Sequence, residues 1–151
     1  ILFAVTEKTA AEIVVSRANP NDPNMALTSW KGSVVRKQDI YIAKNYLTPD
    51  EIDTLNRFVV VFLETAELRA KNRQDITMDF WKTNIDRIIE FNDKKVLDHK
   101  GEVSHAQMEE KVYDIYEKFN TQRKKLDAQK ADAQDLEELK QLEDKLKNKR
   151  N

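Results

Sequence analysis

Cysteine is missing from the 151-residue sequence, and histidine occurs only twice. The lack of cysteine excludes disulfides, thiolate metal sites and cysteine nucleophiles. The two histidines, His99 and His105, have no second histidine at helical ligand spacing, so neither a His-Glu-x-x-His motif nor a three-histidine zinc site exists. We therefore expect no metal and no cofactor, and we interpret both histidines as exposed polar residues.

Long apolar runs are lacking as well. The densest run, residues 58–63, is far shorter than the roughly 18 residues that a membrane-spanning helix requires. No signal peptide is visible. These observations predict a cytoplasmic protein without membrane contact. The sequence begins Ile1-Leu2-Phe3 without an initiator methionine, and we interpret it as part of a longer protein.

Neither sign of charge is in excess. The chain carries 26 basic and 27 acidic residues, for a net charge of −1. Nucleic-acid-binding domains usually have a basic excess, because their affinity comes from neutralising phosphates. The sequence also contains no glycine-rich phosphate loop, no Gly-x-Ser-x-Gly motif and no basic–aromatic pattern of a single-strand binder. We therefore expect this chain to bind duplex DNA only weakly.

The composition that remains is helical. Only two glycines and three prolines occur, and 35% of the residues are charged. Three capping boxes, in which a Thr or Ser precedes a Glu or Gln by three positions, predict helix starts at Thr9, Thr48 and Ser104. Thr77 is a fourth candidate cap. The sequence thus predicts an all-α protein, a helical bundle with a long polar carboxy-terminal helix.

Apolar periodicity predicts where the helices run and which faces they bury. We expect a central helix from Pro49 to about Asn72, buried on most sides at its middle, and a second from about Met78 to Phe91. A third runs from His105 almost to the end. A short helix is predicted from about Lys37 to Tyr46, with Ile40, Ala43 and Leu47 on its inner face, and Trp30 is interpreted as an apolar anchor. The predicted core consists of Leu55, Val59, Phe62, Trp81, Ile85, Ile88, Tyr116 and Phe119.

Two units are expected along the chain. Residues 1–125 form the helical bundle domain, and residues 126–151 form a polar helical extension that is a possible coiled coil. Leu139, Leu142 and Leu146 fit a heptad, whereas Leu126, Ala133 and Leu136 fit a different register. Such a helix is either solvated or pairs with another chain, and the seam we predict is formed by Leu136, Leu139, Leu142 and Leu146.

Arg57, Glu64 and Glu67 are the only candidates for a catalytic site. All three lie on the central predicted helix, and the two glutamates are three residues apart. An acid–base or metal-binding role is one interpretation, although di-metal bundles need Glu-x-x-His pairs from two helices and none is present. The simpler interpretation is a structural ion pair with a base such as Arg57 or Arg69.

Several stretches resemble one bacterial family. These are Thr9-Ala10-Ala11-Glu12-Ile13-Val14, Pro23-Asn24-Met25-Ala26-Leu27-Thr28-Ser29-Trp30-Lys31-Gly32, Ala43-Lys44-Asn45-Tyr46-Leu47, Leu55-Asn56-Arg57, Ala66-Glu67-Leu68-Arg69-Ala70 and Val103-Ser104-His105. In this order they resemble the carboxy-terminal half of the virulence-protein RhuM family, over roughly residues 1–119. The resemblance implies a mobile or pathogenicity-associated genetic context. It also implies that an amino-terminal, helix-turn-helix-like DNA-binding module, which this sequence does not contain, makes the main DNA contact.

The resemblance carries over no catalytic residues. Some members of the family are associated with Fic-type domains, but the Fic signature, a His followed by a Gly-Asn-Gly turn, does not occur here. Our leading hypothesis is a non-enzymatic helical interaction or oligomerisation domain whose partner is a second copy or another protein. The alternatives are a toxin-like or enzymatic effector with a site around Arg57, Glu64 and Glu67, and a nucleic-acid-binding helical domain.

Overall fold

All regular structure in the described part of the chain is helical. A computed structural model describes residues 1–149, and no strand occurs among them. The five α-helices are α1 (Leu2–Thr6), α2 (Ala10–Arg17), α3 (Pro49–Lys71), α4 (Met78–Phe91) and α5 (His105–Lys149), with 3₁₀ turns at Pro23–Ala26 and Ala43–Tyr46. The prediction of an all-α protein with a long final helix is confirmed. The last two positions of the predicted extension, 150 and 151, lie outside the described residues.

The predicted helix starts are all present. Thr9 and Thr48 each accept a hydrogen bond from the backbone of a glutamate three residues later, and that glutamate accepts one in return. Ser104 forms the same reciprocal pair with Gln107, and the Thr77 hydroxyl accepts the N–H of Phe80. Each cap satisfies N–H groups that have no partner within the helix, which explains why these four starts could be located from the sequence.

The main core lies between α2, the irregular segment 18–47 and the first turns of α5. Its largest fully buried side chains are Tyr46, Ile13, Met25, Ile40, Leu47, Val14, Val35 and Val112. The Tyr46 hydroxyl donates to the carbonyl oxygen of Ile40 at 2.7 Å, and burial raises the pKa of this phenol. Trp30 packs against the same core, as the anchor interpretation predicted.

The prediction of a short helix from about Lys37 to Tyr46 is wrong. Turns occupy residues 37–41, and only Ala43–Tyr46 is helical, as a 3₁₀ turn. The buried Asp39 carboxylate accepts the Arg36 N–H at 2.9 Å, and the Asn45 side-chain amide donates to the Asp39 carbonyl at 2.9 Å. Such side chains compete with helical hydrogen bonds for the backbone. Ile40, Ala43 and Leu47 are nevertheless buried.

A second, smaller core joins α1, α3 and α4. It consists of Ala4, Phe58 and Ile89, with Val5, Phe62, Ile85 and Val96 packed around them. Phe58 is the only fully buried residue of α3, so the prediction that the middle of this helix is buried on most sides is wrong. Val59, a predicted core residue, is 44% exposed. The described chain supplies neighbours for one face of α3 only.

Of the other predicted core residues, Phe119 is buried. Six more are half-buried: Leu55, Phe62, Trp81, Ile85, Ile88 and Tyr116. Helix α5 buries Met108, Val112 and Phe119, all in its first turns. From position 124 to position 149, every residue of α5 is exposed.

Candidate functional site

The three residues predicted from sequence do not meet in a cavity. Arg57 is exposed and its Nε lies 2.7 Å from the carboxylate of Asp53, one turn earlier on α3; this hydrogen bond raises the pKa of Arg57. Glu64 and Glu67 are also exposed, and neither pairs with Arg57 or Arg69 in the described residues. The Arg69 guanidinium instead donates to the Asp75 carbonyl at 2.9 Å. The structure thus gives these residues no shared pocket.

A polar cleft of about 380 Å³ lies between α2 and the segment before α5. Glu12 organises it: one carboxylate oxygen accepts the Thr9 N–H at 2.8 Å and the other accepts the Glu102 N–H at 2.7 Å. The Glu102 and Thr9 hydrogen bonds lower the pKa of Glu12. His99 lines the cleft and accepts the Gly101 N–H at 2.9 Å through Nδ1. The Glu12–Glu102 hydrogen bond joins α2 to the segment before α5, and the other two contacts each stabilise one of these segments locally.

No cluster in residues 1–149 could hold a metal ion, since no three His, Asp or Glu side chains come together there. In the same part of the chain, every helix is too short or too polar to span a lipid bilayer.

An apolar groove of about 500 Å³ runs between α3 and α4. Its walls include Val61 and Thr65 from α3 and Phe80, Ile88 and Phe91 from α4. Phe91 is 88% exposed. The Arg69 guanidinium carbon lies 3.8 Å above the Phe80 ring, a cation–π contact at the edge of the groove. The groove is therefore an exposed, mainly apolar surface between two helices.

This groove was not predicted from the sequence. The signal was the run 58–63, whose consecutive apolar residues point around every side of a helix. We interpreted the run as burial on most sides, whereas the structure leaves Val59, Val60, Val61 and Leu63 at least 38% exposed.

The second apolar surface is the end of α5. Leu126, Leu136, Leu139, Leu142 and Leu146 are each between 55% and 64% exposed. Leu126 still borders a crevice formed with the loop at Pro20–Asn24, and Lys130 is the last residue of α5 to line it. After Lys130, among the described residues, α5 continues as a helix that its own bundle does not cover.

Comparisons with known proteins complete these observations. No curated protein and no solved structure is significantly similar to the chain. One family model, described as the virulence protein RhuM family, matches residues 1–127. That range includes both cores and ends where α5 leaves the bundle, and it agrees with the resemblance that the sequence motifs indicated. The chain belongs to the virulence protein RhuM family.

Proposed function

We propose that this chain is a non-enzymatic, cytoplasmic helical domain that associates with other protein chains, in the first place with a second copy of itself. The observation that carries the proposal is the end of α5, where four leucines of the predicted seam lie exposed on a helix that leaves its own bundle. Those residues are Leu136, Leu139, Leu142 and Leu146.

The energetics of the helix support this proposal. Ala, Leu, Glu, Lys and Gln dominate residues 126–149, and Gly and Pro are missing there, so the helical propensity is high. Most of the stability of a protein helix nevertheless comes from packing an apolar face. The α5 tail, which we define as residues 126–149, has such a face but nothing from its own domain to cover it. A second helix of the same kind supplies the missing contact.

The groove between α3 and α4 supports a further protein partner. Amphipathic helices of partner proteins bind in apolar grooves between helices. Phe91, which lines the groove, is a large side chain whose exposure brings the isolated chain no stability. A partner that covers the groove removes this apolar surface from water.

The family resemblance suggests what association achieves. If an amino-terminal DNA-binding module precedes this domain, pairing of two domains places two such modules in one assembly. Two half-sites bound together gain affinity without any new contact to DNA. The domain then acts by positioning, and its own balanced charge leaves DNA contact to the other module.

Sedimentation across a concentration series tests the proposal. The full chain should move from monomer to dimer as concentration rises, whereas a chain truncated after Lys125 should stay monomeric. The variant L139A/L142A/L146A keeps helical propensity and removes three of the four seam leucines, so it should also stay monomeric. Its matched control is Q141A/N148A on the opposite face of α5, which should dimerise like the parent. A monomeric parent at every concentration contradicts the proposal.

The two alternative functions have less support. An effector site around Arg57, Glu64 and Glu67 would need a cavity, and these side chains are exposed on α3. Direct nucleic-acid binding would need a basic excess, and the net charge is −1. A mobility-shift assay with duplex DNA tests the nucleic-acid-binding hypothesis. Tight binding with a steep salt dependence would favour that hypothesis over association with other protein chains.

A further inference from the structure

We propose that two α5 tails pair in antiparallel orientation, with the two-fold axis passing between residues 140 and 141. This inference rests on the proposed function, since it concerns the geometry of the same dimer. It commits to one occupant of the exposed leucine face, which is the tail of a second copy of this chain. Charge complementarity between the two tails carries it.

The surface available for pairing begins just after the bundle ends. Lys130 is the last residue of α5 that lines the crevice against the Pro20–Asn24 loop. From Asp132 to Lys149 the helix continues with every side chain exposed. At 1.5 Å per residue this stretch is about 26 Å long, enough for five turns of pairing.

A heptad frame places the apolar seam in this stretch. Leu139, Leu142 and Leu146 follow each other at spacings of three and four, so they occupy successive inner positions of a coiled coil. The same frame puts Leu136 at a flanking position, and Asp132 and Asp135 at the inner positions before Leu139. Lys149 takes the inner position after Leu146.

Charge is unevenly distributed along the tail. Six acidic residues and one basic residue lie between positions 132 and 144, whereas Lys145, Lys147 and Lys149 follow without an acidic residue between them. One end of the pairing segment is therefore acidic and the other is basic. The charges of two such helices attract each other only when the helices run in opposite directions.

A parallel pair brings like charges together. Each inner aspartate, Asp132 and Asp135, would face its own copy across the seam, and Lys149 would do the same. At the flanking positions, Glu138 would lie beside Glu143 of the partner subunit on both sides. Like charges directly opposite each other destabilise a helix pair, and here none of these contacts is compensated.

An antiparallel pair removes each of these like-charge contacts. At the inner positions, residues whose numbers sum to 281 face each other. Leu139 therefore packs on Leu142 of the partner subunit, and the two-fold symmetry repeats this contact. Lys149 then lies opposite Asp132 of the partner subunit. At the flanking positions, Glu138 lies beside Lys145 of the partner subunit.

Asp135 faces Leu146 of the partner subunit, where it reduces the apolar packing but lies within a turn of the partner's basic end. Within one chain, Glu138 accepts a hydrogen bond from Gln134 at 3.2 Å through one of its two carboxylate oxygens, Oε1. Its other oxygen, Oε2, can accept a hydrogen bond from Lys145 of the partner subunit. The two bundles then lie at opposite ends of the paired tails, clear of each other.

A charge exchange in the full-length chain tests the orientation by sedimentation. In an antiparallel dimer, E138K sets two lysines opposite each other, and K145E sets two glutamates opposite each other. Each single variant should therefore dimerise about fivefold to tenfold more weakly than the parent. A mixture of the two variants restores an acid–base contact at both flanking positions and should form a heterodimer of parental affinity.

A parallel dimer gives the opposite result for one of these variants. There E138K replaces a repulsion with Glu143 of the partner subunit by an attraction, so dimerisation of this variant alone would become tighter. Stronger self-association of E138K overturns the antiparallel inference and leaves the proposed function intact. Circular dichroism of each variant confirms that the helix content is unchanged.

A distance measurement provides a second test. Because the chain contains no cysteine, Q129C can carry a single spin label per chain. In the antiparallel dimer the two labels lie about 35 Å apart along the axis, from 1.5 Å per residue on either side of the two-fold. In a parallel dimer they lie side by side, about 10–20 Å apart. A short distance overturns the orientation, and a parent that never dimerises overturns both this inference and the proposed function.

Discussion

Arg17 and Glu51 join α2 to the first turn of α3 through two parallel hydrogen bonds, Nη1 to Oε2 and Nη2 to Oε1, each 2.6 Å long. Arg17 Nη1 also donates to the Tyr46 carbonyl at 2.8 Å, and Glu51 Oε2 accepts the Thr48 N–H at 2.9 Å. One carboxylate therefore caps α3 and connects it to the main core. Both side chains are largely shielded, with 25% and 19% of their surface exposed, so this pair is more than a surface salt bridge.

This pair should make the stability of the fold depend on pH. The hydrogen bond from Arg17 lowers the pKa of Glu51 from 4.5 to about 2. A carboxyl whose pKa is lower in the folded state stabilises the fold above its unfolded pKa, and loses that contribution as the pH falls through its folded pKa. E51Q should therefore cost about 1–3 kcal/mol at neutral pH. The difference from the parent should shrink between pH 4.5 and pH 2.

Urea unfolding at a series of pH values measures that difference. E67Q on the exposed side of α3 is the matched control, because it removes the same charge without a shielded partner. If E51Q and E67Q lower stability equally, the Arg17–Glu51 contact is not a significant link between the two helices.

Gly101 should be the glycine that tolerates alanine least. Its φ of +82° lies in the left-handed region, and a Cβ there would approach Thr9 Cγ2 to 2.8 Å. Gly32 has a similar φ of +93°, but its nearest neighbour would be an Arg36 nitrogen at 3.7 Å. Both alanine variants incur backbone strain, and G101A adds a clash. We expect G101A to lose about 1–3 kcal/mol more than G32A in chemical unfolding.

The background T9S distinguishes the clash from other causes. Serine keeps the hydroxyl that caps α2 and lacks the Cγ2 atom that a Cβ at position 101 would meet. G101A should be less harmful in this background than in the parent. An identical loss in both backgrounds would show that the Thr9 contact does not explain the effect.

Two phenylalanines should differ sharply in their contribution to stability. Phe58 is 5% exposed in the small core, and Phe91 is 88% exposed beside the groove. F58A should cost about 3–5 kcal/mol, the usual loss for a buried aromatic residue, whereas F91A should lie within about 0.5 kcal/mol of the parent. Thermal or urea unfolding of both variants measures this. A large loss for F91A would mean that the groove is closed in solution.

Local signals made much of this fold predictable from the sequence. The starts of α2, α3, α4 and α5 are set by side chains within three residues of the cap, so the sequence contains the whole interaction. The turns at residues 37–41 depend on Asp39, whose carboxylate caps a nearby N–H and whose carbonyl receives the Asn45 amide. The spacing of apolar residues alone could not show that hydrogen bonds from these side chains replace those of a helix.

Periodicity also could not show how many faces of α3 are covered. Val59 belongs to the predicted apolar stripe, yet it is exposed because α1 and α4 pack against the side that holds Phe58. The leucine stripe of α5 is visible in the sequence, since a stripe among charged residues has the same pattern whether or not a partner is present. Its role as a seam with another chain stays a prediction. Arg57, Glu64 and Glu67 share a helix, but sharing a helix does not create a cavity.

Removing the α5 tail should leave the stability of the bundle unchanged. The buried residues of α5 are Met108, Val112 and Phe119, all well before position 125. Arg123 donates to the Val35 carbonyl at 3.2 Å and is retained by truncation after Lys125. At concentrations below dimerisation, the free energy of unfolding of the truncated chain should therefore match that of the full chain within about 0.5 kcal/mol.

Urea unfolding monitored by the fluorescence of Trp30 and Trp81 measures this difference between the truncated and the full chain. The variant V112A, which removes a fully buried side chain, is the positive control and should be clearly less stable. A truncated chain as unstable as V112A would move the boundary of the domain beyond residue 125, because packing of the tail on the Pro20–Asn24 loop would then contribute to the fold.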